Sequence, residues 1–584
     1  GSEDRFSNVQ NFGADLKYGL TPDLTLNATF QPDFGQVEAD PAVLNLSPFE
    51  TFFSEKRPFF VEGSRFYQMP SFNMFYSRRI GTGDENARIR AATKLTGKMA
   101  GNVSVAGLYA ATDITTPGRA HNFLQSGEHL SHFMVTRVGK DFAEGQHRVH
   151  LMQTAVFRPD RRPTLDDSER AFRDGYTTGM DFELNFLDRA YNIQGAAVGS
   201  VVDPSRVLEA PDHDHSVKHG TGGRIALNKR SGAFRSNVNF GWESPGLDLN
   251  DIGFLGAPNE MNSNGWVGWR YNAPSENPRL NQANLNINAW RGWVMGAADV
   301  RSEETGEALW QYGEGLPATA GGNVNGYVQF RNFVGAWAGI DVNARRTDIF
   351  ITRGGPPMER PSELGGWFGI GSDWRKPFRT ELDLRWAIDA EDGYFYEAEV
   401  EADWDASSRF RFGTDFSYWT RSEKADYLDT IDRGDPALGI GGQSYVFGDL
   451  KQQTAAITFR SNVLFDRSRS LELYFQPFVT VGDYTNAREL LRPLSYDLAP
   501  YGVDGFEAAD SDFSFGSVNV NVVYRWEYRP GSAFFLVWTH SRSDFETRED
   551  DGGPTFDNPL SAGELFRNEP ENTVLAKFTY WLAL

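Results

Sequence analysis

The chain has 584 residues, of which 40% are hydrophobic and 14% aromatic, with 59 Gly, no Cys and a formal net charge of -22. No stretch of about 18 or more consecutive apolar residues occurs, which excludes a transmembrane helix. The lack of Cys excludes disulfides, iron–sulfur clusters and thiolate zinc sites, and the acidic balance argues against a nucleic-acid partner, which would want clustered Lys and Arg.

The chain opens on Gly1-Ser2, read as a cloning or processing scar, and shows no signal peptide, so the natural precursor is expected to extend upstream. A first strand is predicted at 12–20, reversing at Leu20-Thr21-Pro22-Asp23 to make a first hairpin within residues 1–31. Residues 32–87 do not alternate. Ser47 and Glu50 read there as a capping box with Pro48 at the first helical position, Phe49, Phe52 and Phe53 share a face, and Pro58 is expected to stop the turn. A barrel of more than about 20 strands has a lumen too wide for its own side chains to fill, so this segment is the candidate plug or lid.

Residues 88–584 are predicted to be the remainder of one barrel. Short turns are expected at 187–190, 405–408, 466–469 and 529–532. Between them lie longer polar stretches at 115–130, 159–172, 204–218, 247–263, 298–320, 352–364, 423–443, 484–512 and 545–571. Alternating short and long connections is the habit of outer-membrane barrels, with short turns in the periplasm. The strands read as about ten residues long, the length a tilted strand needs to cross a bilayer. From 379 to 389, Leu382, Leu384, Trp386 and Ile388 point one way, and Glu381, Asp383, Arg385 and Asp389 the other. From 394 to 404, Tyr394, Tyr396, Ala398, Val400, Ala402 and Trp404 face lipid, while Glu397, Glu399, Glu401 and Asp403 face the lumen. The last strand, 573–584, carries Val574, Ala576, Phe578, Tyr580, Leu582 and Leu584 on one face. The count is roughly 23 strands, and an even number is the norm. One strand upstream of Gly1, or one missed, would make about 24. The predicted fold class is thus all-β, a large antiparallel transmembrane β-barrel with an internal plug or lid segment.

Four segments carry a family resemblance: PDFGQVEADPAVLNLSPFETFFSEKRPFFVEG at 32–63, FYSRRIG at 75–81, KLTGK at 94–98 and RGGPP at 353–357. They resemble the outer-membrane domain of the family called DUF5916, over essentially the whole chain. The resemblance implies a barrel that usually follows a module similar to family 9 carbohydrate-binding domains, absent here, so a sugar-related role is suggested and not shown.

Candidate site residues fall in three groups. The plug-like segment holds Asp33, Glu38, Asp40, Glu50, Glu55, Lys56, Arg57, Glu62, Arg65, Arg78 and Arg79, read as pins to a charged lumen wall, with calcium at Asp33, Glu38 and Asp40 as the alternative. The lumen wall is expected to carry Glu381, Asp383, Arg385, Glu397, Glu399, Glu401, Arg409, Arg411, Arg421, Arg525 and Arg529. Weak metal candidates are Asp212, His213, Asp214, His215 and His219, then Asp429, Asp432 and Asp435, and Glu549, Asp550 and Asp551; their spacing matches no defined motif, and solvated loop charge is the default. No GxSxG, HExxH or P-loop occurs, and His540 has no evident catalytic partner, so an enzyme is the less favoured class. No cofactor is implied beyond calcium in loops or plug.

The expected function is a plugged channel, transporter or secretion-related pore for polar solutes or polymers in the bacterial outer membrane. The alternatives are an anchor or assembly barrel for a carbohydrate-binding-like domain or partner proteins, and an outer-membrane enzyme. Expected partners are outer-membrane lipids and lipopolysaccharide, the outer-membrane assembly machinery, and surface or periplasmic proteins. No TonB-box-like element is visible.

Overall fold

The structure is a computed structural model that describes residues 12–32, 40–81, 88–113, 130–158, 173–203, 216–301, 308–435, 437–502, 506–547, 565 and 569–582. By their contacts the residues form two compact units. The first comprises residues 1–34, 51–231 and 237–263, and the second residues 35–50, 232–236 and 264–584.

The first unit contains β1 (Ala14–Thr21), β2 (Leu24–Phe30), β3 (Ile89–Met99), β4 (Val103–Asp113), β5 (Leu130–Phe142), β6 (His147–Phe157), β7 (Asp174–Phe186), β8 (Tyr191–Asp203), β9 (Lys218–Lys229) and most of β10 (Phe234–Glu243). From β1 to β9 each strand pairs antiparallel with the next. Alternate residues diverge. Met134, Val138, Leu151, Met180, Ile225 and Leu227 are exposed, while Phe133, Val135, Met152, Val198 and Ala226 are buried. A sheet residue and its neighbour must point to opposite faces, so one face of this wall is covered and the other is bare and apolar.

The second unit takes in most of β11 (Glu260–Asn272), then β12 (Leu280–Val294), β13 (Ala298–Arg301), β14 (Ala308–Tyr312), β15 (Pro317–Phe330), β16 (Gly335–Asn343), β17 (Arg346–Asp348), β18 (Met358–Arg360), β19 (Glu363–Gly371) and β20 (Phe378–Asp389). It continues through β21 (Tyr394–Asp405), β22 (Phe410–Asp432), β23 (Gln443–Leu464), β24 (Arg469–Leu490), β25 (Leu498–Pro500), β26 (Phe513–Arg529), β27 (Ser532–Thr547) and β28 (Glu571–Phe578). β13 pairs with β14 and β17 with β18 in small separate ladders. The long strands pair in chain order from β12 to β28.

Among the described residues the main sheet has 24 strands. One of them is the three-residue β25, which pairs only with Arg488–Leu490 at the end of β24. The twenty-fourth strand is therefore a short addition rather than another full-length strand, which agrees with the sequence count of long strands.

Three expectations are corrected. No helix forms at 47–53. Asn45 accepts from the Ser47 N–H (3.0 Å) and hydroxyl (2.7 Å), and its amide donates to the Phe49 carbonyl, so the side chains that would cap a helix hold a bend. The helix lies instead at α1 (Pro58–Val61), which Pro58 starts rather than ends. Its ring fixes φ for the first turn, where its missing N–H costs nothing. The stretch 423–443 is mostly strand, because β22 and β23 run to 23 and 22 residues. The long loops expected at 115–130, 159–172, 204–218 and 545–571 fall largely outside the described residues.

Candidate functional site: the inner faces of the sheet and the segment laid on them

In the first unit, residues 51–81 supply what covers the wall. After α1 the chain makes two single 3-10 turns, Ser64–Tyr67 and Ser77–Arg79. Phe60, Tyr67, Met69, Phe72, Met74 and Ile80 are buried in one cluster with wall residues Leu108, Phe133, Val135, Met152 and Val198. Burying such side chains is worth about 1.5–3 kcal/mol each, enough to hold a segment that has almost no secondary structure of its own.

Polar contacts fix its position. Arg57 is buried and grips Glu55 through two donors, Nε to Oε1 at 2.9 Å and Nη2 to Oε2 at 2.6 Å. The same guanidinium donates to the carbonyls of Ile80 and Ser77, each at 2.7 Å, and the Ser77 hydroxyl returns to Glu55 Oε2 at 2.7 Å. Burial pushes the Glu55 carboxyl up, but the hydrogen bonds and charge of Arg57 outweigh it and leave the group below its ordinary value. The wall reaches back. Lys94 on β3 donates to the carbonyls of Phe59 and Glu62, and Arg137 on β5 donates to the Gln68 carbonyl while pairing with Asp181 on β7. The Tyr67 hydroxyl donates to the Gly107 carbonyl at 2.8 Å, and burial raises its pKa.

In the second unit, residues 40–50 lie against a different part of the sheet. The Ala42 N–H donates to Gln476 (3.1 Å), Arg353 donates to the Leu46 carbonyl (3.1 Å), and Phe49 meets Phe350 edge-on. Leu44 and Leu46 pack on Leu450, Tyr484 and Phe513. The four segments that carry the family resemblance therefore meet their partners here. FYSRRIG and KLTGK hold the stretch from Glu55 to Gly63, and RGGPP holds Leu46.

The predicted wall residues form cross-strand rows on one face of β20–β22. Glu381 stands opposite Glu401, Asp383 opposite Glu399 and Arg385 opposite Glu397. Only the last is an ion pair, at 3.3 Å. Arg411 joins through Asp405 (2.7 Å). Arg525 is on the inward row of β26 and pairs with Glu527 at 2.7 Å. Arg409 sits in the turn before β22, and Arg529 ends β26, where it donates to the Tyr580 hydroxyl (2.6 Å). Arg421 donates to Gln452 (2.8 Å).

Of the other candidates, Asp33, Glu38, Asp212, His213, Asp214, His215, Glu549, Asp550 and Asp551 lie outside the described residues. Asp432 and Asp435 accept the backbone N–H groups of Gly434 and Ala437 just after them (2.8 and 2.9 Å), and Asp429, within β22, accepts that of Thr430 (2.7 Å). Among the described residues no three His, Asp or Glu side chains gather as a metal site. His540 is hydrogen-bonded to Asn572 and Arg542, neither of which makes it a base for a nucleophile. Sequence reading missed the inward residues of β12, β15, β16 and β19, where Asn, Trp and Gly stand in most places and the charged residues are Asp341 and Glu363, both hydrogen-bonded by Asn343. The run Asn284, Asn286, Asn288, Trp290 was the available signal.

Solved structures that the chain resembles are outer-membrane transporters at very low identity. They include the FrpB iron transporter from Neisseria meningitidis (F3-3 variant; 10% identity, TM-score 0.39, covering 78% of this chain and 66% of that one). The YddB outer membrane transporter from Escherichia coli gives 8%, 0.36, 81% and 67%, and the siderophore receptor PirA from Acinetobacter baumannii gives 10%, 0.35, 87% and 82%. No curated protein matches the chain. The family model described as a domain of unknown function, DUF5916, matches residues 2–584, and the chain belongs to that family.

Proposed function

We propose that the chain is the wall of a bacterial outer-membrane β-barrel, that residues 51–81 act as its internal plug, and that it passes polar solutes or polymers once that plug yields. The observation that carries this reading is the segment's manner of attachment. A stretch with one four-residue helix is held against the sheet by buried side chains and by the Glu55–Arg57–Ser77 knot, while the opposite face of the same strands stays apolar and bare. Strands that need an apolar exterior and a filled interior are what lipid outside and water inside require. Among the described residues there is no separately folded plug domain, so the plug is a strap laid on the wall.

The test is planar-bilayer conductance of the intact chain and of a chain lacking residues 51–81, each shown to be folded by heat-modifiable migration. The intact chain is expected to be silent and the deletion to conduct. If the folded deletion is silent as well, the plug reading fails.

A further inference from the structure

We propose that the inward face of β12, β15, β16 and β19 is a binding track for a neutral oligosaccharide, which names the substrate class of the pore and so rests on the barrel reading. The inward positions are set by register. One row runs Asn286, Asn325, Gly339, Trp367 and ends at Arg385; the row beside it runs Asn284, Tyr327, Trp337, Gly369 and ends at Asp383. On β12 and β15 the inward residues from Gln282 to Gln329 carry no charge at all.

Two features give this face its chemistry. First, each inward tryptophan lies over a glycine. A Cβ at Gly268 would stand 2.4 Å from Trp266, at Gly321 2.7 Å from Trp290, at Gly339 2.3 Å from Trp367 and at Gly369 2.1 Å from Trp337. The glycines make the room into which the indoles lie down, and all four rings stay only half-buried. Second, the asparagines are tied to one another. Asn286 donates to Asn325 (2.9 Å), Asn288 to Asn323 (2.7 Å) and Asn325 to Asn323 (2.8 Å), while the Trp266 indole donates to Asn286 (3.1 Å). An amide chained in this way is held in one orientation, so its donors and acceptors are pre-set for a ligand.

The class of ligand follows by comparing what aromatic platforms bind. A nucleic-acid strand would need basic residues beside the rings, and these rows have none before Arg385. A quaternary ammonium needs rings standing as the walls of a cage, whereas these lie side by side along the sheet. A pyranose presents C–H groups on its flat face, which suit the electron-rich face of an indole. Its hydroxyls both donate and accept, which suits amides that do the same without charge. The grid of a sheet, about 4.8 Å between strands and about 6.8 Å between successive inward residues, is on the scale of a sugar ring.

The experiment titrates the detergent-folded full chain with maltohexaose, cellohexaose and N-acetylchitohexaose, following intrinsic tryptophan fluorescence and heat of binding. At least one is expected to bind saturably. The pair Asn286→Leu and Asn325→Leu keeps side-chain volume, removes the amides and should weaken binding about tenfold or more. Trp367→Phe should weaken it less, and Ile287→Val, on the outward face of the same strand, should leave it unchanged. If none of the three sugars gives a saturable response, or if the asparagine pair binds as the parent does, the proposal is wrong. Should the pair fail to fold, Asn325→Leu alone decides on the same terms. Heat-modifiable migration is read on every sample, so failure of the barrel reading shows as loss of that band and failure of the sugar proposal as absent binding by a folded barrel.

Discussion

Strands β4–β7 and strands β19–β21 present the same kind of outward face and opposite kinds of inward face. Outward, Leu151 on β6 and Leu384 on β20 are 51% and 40% exposed. Inward, Val135 on β5 is fully buried and Arg137 is locked to Asp181, whereas Arg385 keeps 59% of its side chain exposed beside Glu397. The difference lies in what is laid on each. Where residues 51–81 cover the wall, an inward position must be apolar or fully paired, because an unpaired buried charge costs several kcal/mol. Where the described residues leave the wall open, carboxylates, amides and half-buried indoles are tolerated.

The largest expected effects test that contrast directly. Arg57→Ala leaves Glu55 buried without its partner and should cost about 3–5 kcal/mol, whereas Arg385→Ala in the open wall should cost less than about 1 kcal/mol. Thermal loss of the heat-modifiable form in detergent measures both. Equal losses would mean that the two inner faces are not different in kind.

The outward faces should answer alike. Leu151→Arg and Leu384→Arg each place a guanidinium where lipid is expected, at about 2–4 kcal/mol near the midplane. Both should fail to assemble into vesicles while Ile287→Val assembles normally. If either arginine variant folds in aqueous buffer without detergent, these strands do not face a membrane.

How much of this was legible in the sequence follows from the same contrast. Around Glu381–Asp389 and Tyr394–Asp405 strict alternation gave faces and strand bounds, because one side is apolar and the other polar. In β5 the pattern blurs, since Phe133 and Val135 inward and Met134 and Val138 outward are all apolar, and only the covering segment explains the inward pair. That the described part of 32–87, residues 40–81, lacks long strands was legible, and so was its charge. Its helix was misplaced because the side chain of Asn45, not the spacing of Ser47 and Glu50, decides the local bonds. The Asn–Trp–Gly face was passed over because periodicity reports polarity and not chemical kind.

The covered wall should also differ in its response to acid. Glu55 titrates below its ordinary value of 4.5 when folded, so its contribution is present above that value and is lost as pH falls through the lower, folded pKa. The chain has no Cys, so a spin label on Ser64→Cys would report the segment alone. Its mobility should hold steady from neutral pH through the ordinary carboxylate range and rise only below it. In Glu55→Gln the label should already be mobile at neutral pH. A label that loosens near neutrality would mean that some other group pins the segment.

The smallest effect belongs to the open wall. Asp383 faces Glu399 and Glu381 faces Glu401 across one strand pair, and like charges directly opposite cost about 0.2–1 kcal/mol. A folded protein can keep such pairs where water and counter-ions reach them. Glu399→Gln should therefore leave stability unchanged or raise it by a few tenths of a kcal/mol. In a conducting form lacking residues 51–81, the same change should shift the reversal potential toward lower cation preference, because one fixed negative charge leaves the wall. A marked loss of stability would instead show Glu399 to be a buried, partnered group, and the two inner faces would then be alike.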